Sequence, residues 1–490
     1  MSKKPNIVYI LLDDMGYGDV SAFNPEAGFR TPGFDRLASE GMSFHDAHAS
    51  AAVCTPSRYS LITGRYNWRS CRKSGVNGGF DKSIVERDRV TIAHMLKEQG
   101  YNTACIGKWH LGWDFSVTKD YKPAEGFNVP DGIDYTGPVK NTPVEYGFDY
   151  FYGIAGSTDM PPYVYVENDH VTAIPDHTTR NMDTKAFWRE GPCAPDFSHV
   201  DVLPNFTRRV LAKIEEYSRS DIPFFVYFPM PAPHAPMLPL PQFIGKSGTN
   251  AYGDFVLMCD DIVAQVNNKI KELGLEENTI VAMASDNGVA RKVGFDELKA
   301  CGHNPCYHFR GHKADIYEGG HRIPLIVKWP AVIPQNTVCD ETVGLCDFYA
   351  TVADFLGWKV PDNVAEDSVS NRSLWENPSS GPVRKYIIHQ SIDGSLSIRH
   401  KNYKLEMCPG SGGWSFPAPG EETPDMPKYQ LYDLDSDIGE RNNIINEEPE
   451  IFRTLKAELR KEVLEGRSTP GKPQKNTGAD IWDTVNWINE

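Results

Sequence analysis

The chain has 490 residues, of which 40% are hydrophobic and 11% aromatic, a composition typical of globular proteins with a large buried core. Its 66 acidic and 50 basic residues give a formal net charge of −16, which argues against a nucleic-acid-binding protein, since such proteins usually present a basic face. A small anionic substrate is not excluded, because a local cluster of basic side chains can override the overall charge.

The sequence contains few signals of cellular location or redox environment. The ten cysteines are scattered without the spacing of a zinc ribbon. If Cys54 is functional, nine remain and an odd number cannot all pair, so we expect reduced thiols and a reducing compartment. The N-terminal segment MSKKPNIVYILLDD has too short an apolar part for a signal peptide, and no apolar run is long enough to cross a membrane. As the chain stands we expect a cytoplasmic protein without a membrane partner; a removed signal peptide would make it periplasmic or secreted.

In chain order, the first 380 residues repeat a pattern of buried strand, polar strand end and helix. Strands are predicted at NIVYILL (6–12), near 103–107, at PFFVYFPM (223–230), in NTIVAMASDNG and in RIPLIVKWP. Helices are predicted at TPGFDRLASEG (31–41), in TIAHMLKEQG, at 252–273 and in CDFYATVADFLG. This alternation predicts an α/β domain with a large, mixed, mostly parallel sheet flanked by helices.

The pattern changes after about residue 380. Short strands are predicted in KYIIHQ, LSIRHKNYKLEM and YQLYDLDSD, followed by a helix at 449–465. We therefore predict two domains: a catalytic domain over 1–380, and a smaller α+β domain over 381–490 with an antiparallel sheet, a helix and a terminal arm on the surface.

Hard oxygen ligands stand at two predicted strand ends, Asp13-Asp14 and Asp286-Asn287. Carboxylate and amide oxygens suit Ca²⁺ or Mg²⁺. For either pair alone a turn is the favoured interpretation, because Asp and Asn often begin turns after strands. Ligands of α/β sheets gather at the carboxyl ends of the strands, so the two pairs together favour a metal site.

Basic residues follow other strand ends. Lys108 and His110 are two residues apart and face the same side of an extended segment, and His234 stands in the proline-rich loop PMPAPHAPMLP. Lys313 and Arg58 lie beside glycine-containing turns. Each cation alone could be a solvated surface group, but together they indicate an anion pocket.

The thiol of Cys54 does not match the hard cation predicted near it. Pro56 suits the first turn of a helix, so Cys54 should lie just before a helix begins, where the helix dipole favours negative charge. A thiolate is a soft ligand and fits poorly beside a hard cation. The surroundings favour an oxygen nucleophile at a position where the sequence has sulfur.

The segment CTPSR resembles the activation motif Cys-x-Pro-x-Arg of the type I sulfatases, which belong to the alkaline phosphatase superfamily. PNIVYILLDDMGYGD, GKWHLG, HAP, SDNG and GHKADIYEGGHRIPLIVKWP continue the resemblance in order, most closely to bacterial enzymes similar to arylsulfatase A and N-acetylgalactosamine-6-sulfatase. The resemblance implies that a sulfatase-maturing enzyme oxidises Cys54 to formylglycine, whose hydrated form supplies an oxygen nucleophile.

The resemblance also implies a role for each site residue. A Ca²⁺ ion, or Mg²⁺, would be bound by Asp13, Asp14, Asp286, Asn287 and the formylglycine at position 54. Arg58 would hold the hydrated aldehyde, Lys108 and Lys313 would contact the sulfate, and His110 would act on the formylglycine hydroxyl. His234 would help protonate the leaving alcohol.

The same resemblance implies a sulfated carbohydrate as the substrate, with a 6-O-sulfate of galactose or N-acetylgalactosamine favoured. Candidate sugar contacts are His177, His303, Asn304, Arg310 and His312. Two other functions stay open: a phosphodiesterase or phosphonate monoester hydrolase of the same superfamily, and a non-catalytic sugar-binding protein.

Overall fold

A ten-stranded sheet crosses the centre of the molecule, in a computed structural model that describes residues 3–490. The strands in chain order are β1 (Asn6–Asp13), β2 (Met42–Phe44), β3 (Ala47–His48), β4 (Asn102–Lys108), β5 (Val117–Lys122), β6 (Asp131–Ile133), β7 (Tyr150–Ile154), β8 (Val166–Glu167), β9 (His170–Val171), β10 (His177–Asn181), β11 (Trp188–Cys193), β12 (Phe224–Pro233), β13 (Thr279–Ser285), β14 (Leu325–Lys328), β15 (Thr337–Cys339), β16 (Val343–Gly344), β17 (Ile387–Gln390), β18 (Leu396–His400), β19 (Tyr403–Glu406) and β20 (Gln430–Asp433). The helices are α1 (Pro32–Ser39), α2 (Cys54–Thr63), α3 (Ile92–Glu98), α4 (Val202–Ser218), α5 (Ala251–Glu272), α6 (Phe295–Ala300), α7 (Glu318–His321), α8 (Asp347–Phe355), α9 (Arg372–Glu376) and α10 (Pro449–Glu465).

The central sheet has the order β15-β2-β14-β13-β1-β12-β4-β7-β8-β9. Its five middle strands, from β13 to β7, are mutually parallel, whereas β14 and β8 run antiparallel to their inner neighbours. The carboxyl ends of β13, β1, β12 and β4 therefore lie along one edge of the sheet. The predicted large, mixed, mostly parallel sheet is confirmed.

Strand β1 shows why the middle strands read as continuous apolar runs. Successive side chains of a strand point to opposite faces, and both faces of this sheet are covered. Val8, Ile10 and Leu12 belong to one buried apolar cluster, together with residues of α4 and α5. The alternate side chains of the same strand belong to a second cluster, which contains residues of α2, α3 and α8.

The C-terminal part contains the antiparallel sheet β17-β18-β19-β20, on which α10 packs. The terminal segment differs from the expectation of a surface arm. Val485, Trp487 and Ile488 are buried in the apolar cluster formed by this sheet and α10. Tyr66 and Trp68 of the large domain belong to the same cluster, so the two parts share apolar packing.

The cysteines and the helices were also the subject of sequence predictions. All ten cysteines are free thiols in the structure. Within residues 3–490, none of the helices combines the length and the apolar character needed to cross a bilayer.

Candidate active site

Cys54 is the first residue of α2, preceded by an extended Val53. The sequence placed it just before the helix; the structure places it one position later, with Pro56 in the first turn. Its side chain is buried, and burial raises the pKa of the thiol, although Lys108 and Lys313 oppose this increase. These surroundings keep the sulfur protonated, which argues against an unmodified thiolate nucleophile.

The ends of β1 and β13 bring the four predicted oxygen ligands together. Asp13, Asp14, Asp286 and Asn287 are all buried. Asn287 Nδ2 donates to Asp14 Oδ1 at 2.8 Å, and the Asp14 backbone N–H donates to Asp286 Oδ1 at 3.2 Å. Potential ligand atoms of Asp13, Cys54 and Asp286 lie within 4.8 Å of one another.

Three oxygens of this group test whether it suits a cation. Asp13 Oδ1, Asp14 Oδ2 and Asn287 Oδ1 are buried and have no hydrogen-bond partner among the described residues. A buried carboxylate oxygen without a partner is costly, and a bound cation removes that cost. Because all three donors are hard oxygens, the residues fit a divalent ion such as Ca²⁺ or Mg²⁺.

Arg58 and Lys108 hold these carboxylates from one side. Arg58 Nε donates to Asp286 Oδ2 at 2.9 Å, and its Nη1 donates to the Lys108 carbonyl at 3.0 Å. Lys108 Nζ donates to Asp13 Oδ2 and to Ser157 Oγ, both at 2.7 Å. Burial raises the pKa of Asp13, but Lys108, with further help from Arg58, outweighs it and holds that pKa well below its usual range.

Lys313 and His234 approach the carboxylates from the other side. Lys313 Nζ lies 2.6 Å from Asp14 Oδ1. Burial lowers the pKa of Lys313, but Asp14 and the other negative groups outweigh it, so the ammonium stays charged. His234 Nδ1 lies 2.5 Å from the Ala235 carbonyl oxygen, while Nε2 lies 3.7 Å from Asp14 Oδ2. The first contact places the ring proton on Nδ1 and leaves Nε2 toward the site.

His110 is held against the helix that carries Cys54. Thr55 Oγ1 donates to the His110 carbonyl at 3.0 Å, and His110 Nε2 lies 2.8 Å from the Asn77 carbonyl oxygen. Its Nδ1 is buried without a partner in the described structure. Burial, reinforced by Lys108, lowers the pKa of His110 well below its usual value, so the ring is neutral.

A cavity of about 440 Å³ opens onto Asp14, Cys54, His234 and Lys313. It is lined by Asp14, Val53, Cys54, Val76, Phe127, Asp159, Met160, Arg189, His234, Ala235, Ala290, Arg291, Lys292, Lys313, Ile392 and Trp414. A larger cavity of about 640 Å³ lies elsewhere, between α1 and α5. The chemistry assigns the site to the smaller cavity, because it contains Cys54, His234 and Lys313.

The cavity wall includes charged residues that the sequence reasoning missed. Arg189 Nη1 lies 2.6 Å from Asp159 Oδ2, and Arg291 Nη1 donates to the Trp414 carbonyl at 3.4 Å. Arg291 and Lys292 follow the SDNG motif closely, so a basic pair after a strand end was the available signal. Arg189 carries no comparable local signal, because only the folded chain brings it to the cavity. Trp414 belongs to the loop 410–419 of the C-terminal part, which the family resemblance had already indicated as part of the pocket.

The five residues predicted to contact sugar lie outside the lining of the active-site cavity. Of the residues that the structure describes, the cavity lining includes none of the five. His303 is buried, its Nε2 lies 2.8 Å from Asp19 Oδ1, and its Nδ1 accepts from the Gly28 N–H at 3.2 Å. Arg310 Nη1 donates to the Glu440 carbonyl at 2.5 Å. Both side chains therefore have structural partners.

The other three have partners of their own. His177 is about half exposed on β10, with Nδ1 2.7 Å from Asp176 Oδ1. The Asn304 side chain bonds within its own loop, to the Cys306 N–H and the Tyr307 carbonyl. His312 Nδ1 lies 2.9 Å from the carbonyl oxygen of Lys313. All five predicted sugar contacts therefore lie outside the cavity lining.

Comparison with known proteins identifies the family and the fold. The model of the Sulfatase family matches residues 5–358. The chain belongs to the sulfatase family. This sulfatase is 33% identical to an N-acetylgalactosamine-6-O-sulfatase of Bacteroides thetaiotaomicron, over 93% of this chain and 92% of that protein. It is 29% identical to human arylsulfatase A, over 98% of this chain and 92% of that protein.

A solved structure agrees with these matches. A Bacteroides thetaiotaomicron structure described under the metabolism of multiple glycosaminoglycans superposes with a TM-score of 0.80 at 30% identity. The match covers 94% of this chain and 99% of that one. The protein is thus a sulfuric ester hydrolase with the sulfatase fold.

Proposed function

We propose that this sulfatase hydrolyses a sulfate ester of a sulfated carbohydrate, with a 6-O-sulfate of galactose or N-acetylgalactosamine as the favoured substrate. The observation that carries the chemistry is the convergence of Cys54, buried cations and hard oxygen ligands on one cavity. The substrate class is supported by the names of the relatives, one of which is an N-acetylgalactosamine-6-O-sulfatase.

Two groups complete the site in this proposal. Ca²⁺, or Mg²⁺ in its place, would be held by the side chains of Asp13, Asp14, Asp286 and Asn287 and by residue 54; it would supply positive charge against the sulfate oxygens. Formylglycine at position 54 would supply the oxygen nucleophile. Because Cys54 is buried in the folded protein, a sulfatase-maturing enzyme must act on it before folding is complete.

The chain's own residues then have defined tasks. Lys108 and Lys313 place fixed ammonium groups where negative charge develops on the sulfuryl group. Arg58 is buried and donates to Asp286, and this bond holds the Arg58 guanidinium near residue 54, out of contact with solvent. Neutral His110 can accept a proton at Nδ1, and His234, once protonated at Nε2, can donate one to the departing sugar oxygen.

The cavity wall supplies the sugar contacts. Its apolar side chains, such as Trp414 and Met160, suit the faces of a pyranose ring, and Arg189, Arg291 and Lys292 suit its polar or anionic substituents. A carbohydrate bearing a second negative group would meet this basic part of the wall.

The mass of the peptide that contains Cys54 tests the nucleophile. The protein is made in a host with a sulfatase-maturing enzyme, and sulfate release is measured on N-acetylgalactosamine 6-sulfate. We expect the formylglycine mass and sulfate release, with both lost in Cys54→Ala. Sulfate release by Cys54→Ala at the wild-type rate would refute the mechanism.

Matched aryl substrates separate the alternative functions. A sulfatase should hydrolyse an aryl sulfate faster than an aryl phosphodiester at equal enzyme concentration. The reverse order would indicate a phosphodiesterase or phosphonate monoester hydrolase. Sugar binding without turnover of either substrate, by protein with modified Cys54, would indicate a non-catalytic sugar-binding protein.

A further inference from the structure

Thr55, the residue after Cys54, is joined to His110 through a closed ring of hydrogen bonds. Its side chain is fully buried on α2. Thr55 Oγ1 donates to the His110 carbonyl at 3.0 Å and accepts from the Asn77 backbone N–H at 3.1 Å. His110 Nε2 closes the ring, 2.8 Å from the Asn77 carbonyl oxygen. One hydroxyl group therefore contacts both His110 and the residue that holds the His110 ring.

The backbone of His110 needs such support. Its φ is +58°, in the left-handed region, where a residue with a Cβ stays only when its surroundings hold it. The His110 N–H donates to the Ala155 carbonyl at 2.9 Å, and the His110 carbonyl accepts from Thr55. The first bond joins two backbones, whereas the second comes from a side chain. Of these two bonds, only the one from Thr55 can be removed by a substitution.

The Asn77 carbonyl determines which nitrogen of His110 carries the proton. A carbonyl oxygen only accepts hydrogen bonds, so the proton of the neutral ring is on Nε2. The lone pair is then on Nδ1, which is buried and has no partner in the described structure. This is the nitrogen to which the proposed function assigns the acceptance of a proton. The N–H of Asn77 bonds to Thr55, so the Thr55 hydroxyl also helps to hold the residue that sets the tautomer.

We propose that Thr55 is a positioning residue, whose hydroxyl holds His110 and Asn77 so that the His110 ring keeps its proton on Nε2 and its lone pair on Nδ1. The inference rests on the task proposed above for His110. Thr55 acts through His110, since it is not among the described residues that line the active-site cavity. The competing explanation is that the hydroxyl only satisfies two buried backbone groups. That role would change stability alone, so the test must report on the ring itself.

Three variants separate positioning from a general loss of hydrogen bonds. Thr55→Val removes the hydroxyl and keeps a branched side chain of similar size, whereas Thr55→Ser keeps the hydroxyl. Thr63→Val is the matched control, because Thr63 is also fully buried on α2. Thr63 Oγ1 donates to the Tyr59 carbonyl at 2.7 Å and accepts from the Arg65 N–H at 3.2 Å. The control therefore removes the same kinds of bond at the other end of the helix.

Nitrogen NMR of histidine-labelled protein with unmodified Cys54 reports the tautomer without any turnover. The signals of the His110 ring are identified by their loss in His110→Gln. We expect the Nε2–H tautomer in the wild type, in Thr55→Ser and in Thr63→Val, and a mixture of tautomers in Thr55→Val. An Nδ1–H tautomer in the wild type would overturn the proposal, even if Thr55→Val did not fold. So would an unchanged His110 signal in folded Thr55→Val.

Turnover is then measured on protein from a host with a sulfatase-maturing enzyme, with each rate divided by the formylglycine content of the sample. We expect kcat of Thr55→Val to fall by about 10–10²-fold, with KM almost unchanged, because a displaced ring weakens the reaction more than binding. The loss should be equal on sugar and aryl sulfates, since the proton that His110 would accept does not come from the leaving alcohol.

The other variants complete this comparison. Thr55→Ser should recover most of the lost kcat, and Thr63→Val should keep the wild-type kcat even where its thermal unfolding midpoint falls. A wild-type kcat in Thr55→Val would mean that the hydroxyl only supports the fold, which overturns the proposal. A wild type that contains formylglycine and releases no sulfate would instead contradict the proposed function, and the tautomer measurement separates these two failures.

Discussion

Asp286 lies between Arg58, which pairs with it through Nε, and Asp13, which repels it. Burial, followed by the charge of Asp13, raises the pKa of Asp286 to about 7 even though Arg58 opposes the shift. Asp13 has the opposite shift, because Lys108 contacts it directly. The two carboxylates thus have different environments within one site. A bound cation would stabilise the ionised form of Asp286 more than that of Asp13, which Lys108 already stabilises.

Replacing Asp286 by alanine should remove the metal and the turnover together. The loss of one ligand leaves Arg58 without its main partner and weakens a charge that stabilises the transition state by several kcal/mol, so turnover should fall by about 10³-fold. Bound Ca²⁺ and sulfate release are measured on the same samples. Asp261→Ala, on the outer face of α5, is the control and should retain both. Turnover by Asp286→Ala without bound metal would contradict the assignment.

Replacing His234 by glutamine should show which proton transfer it serves. A sugar alcohol is a poor leaving group and needs a proton, whereas an activated aryl alcohol needs little help. We expect kcat/KM to fall by about 10²–10⁴-fold on a sugar sulfate and by less than about 10-fold on an activated aryl sulfate. Equal losses on the two substrates would assign His234 to binding instead of protonation. His199→Gln serves as the control.

The C-terminal end of α2 determines how the helix that carries Cys54 packs. The helix ends at Gly64, which has a φ of +65°. A Cβ there would lie 2.6 Å from Ala365 Cβ, inside the contact distance of the two atoms. Both the backbone conformation and the close approach therefore require glycine at this position.

Gly64→Ala should lower the stability of the protein more than Gly100→Ala does. Gly100 also has a positive φ, +82°, but an added Cβ would meet nothing within 4 Å. The strain of the backbone costs about 1 kcal/mol at either site, and the contact with Ala365 adds to it only at Gly64. The stability of both variants is compared through the midpoint of their urea unfolding. Equal midpoints would show that the neighbouring loop moves away without cost.

The sequence predicted the elements that have a local signal. The apolar runs of β1, β12 and β13 indicated buried strands, and the polar residues after them indicated the site edge, because parallel strands share that edge. Arg189 reaches the cavity from β11, outside this pattern, and sequence spacing carries no information on such an approach. His303 was predicted as a sugar contact, whereas the folded chain places its Nε2 2.8 Å from Asp19 Oδ1, a pairing with no local signal in the sequence.

The terminal segment joins the core of the C-terminal part. Its Pro-, Gly- and Lys-rich beginning hid the apolar residues Val485, Trp487 and Ile488 that follow. They pack with α10 and with Trp68 of the large domain, so the shared cluster spans distant parts of the sequence. Apolar packing therefore crosses the boundary predicted at 380.

A buried acid at the same junction predicts how stability changes with pH. Glu462 of α10 lies near Arg69 and Asp367, and burial is the main cause that raises its pKa from 4.5 to about 8, while Arg69 opposes the shift. Between these values the unfolded chain loses the proton and the folded chain keeps it. The unfolded state then binds fewer protons, so the free energy of unfolding falls as the pH rises, by at most about 1.4 kcal/mol per pH unit.

Glu462→Gln removes this titration without changing the size of the side chain. The free energy of unfolding of the variant should not show the decline that the wild type shows between about pH 5 and about pH 8. The stability of the variant relative to the wild type should therefore increase as the pH rises. Thermal unfolding midpoints across this range measure the effect. Glu450→Gln changes an exposed carboxylate of the same helix and should follow the wild type. Parallel curves for Glu462→Gln and the wild type would mean that Glu462 is ionised in the folded protein, with Arg69 compensating for its burial.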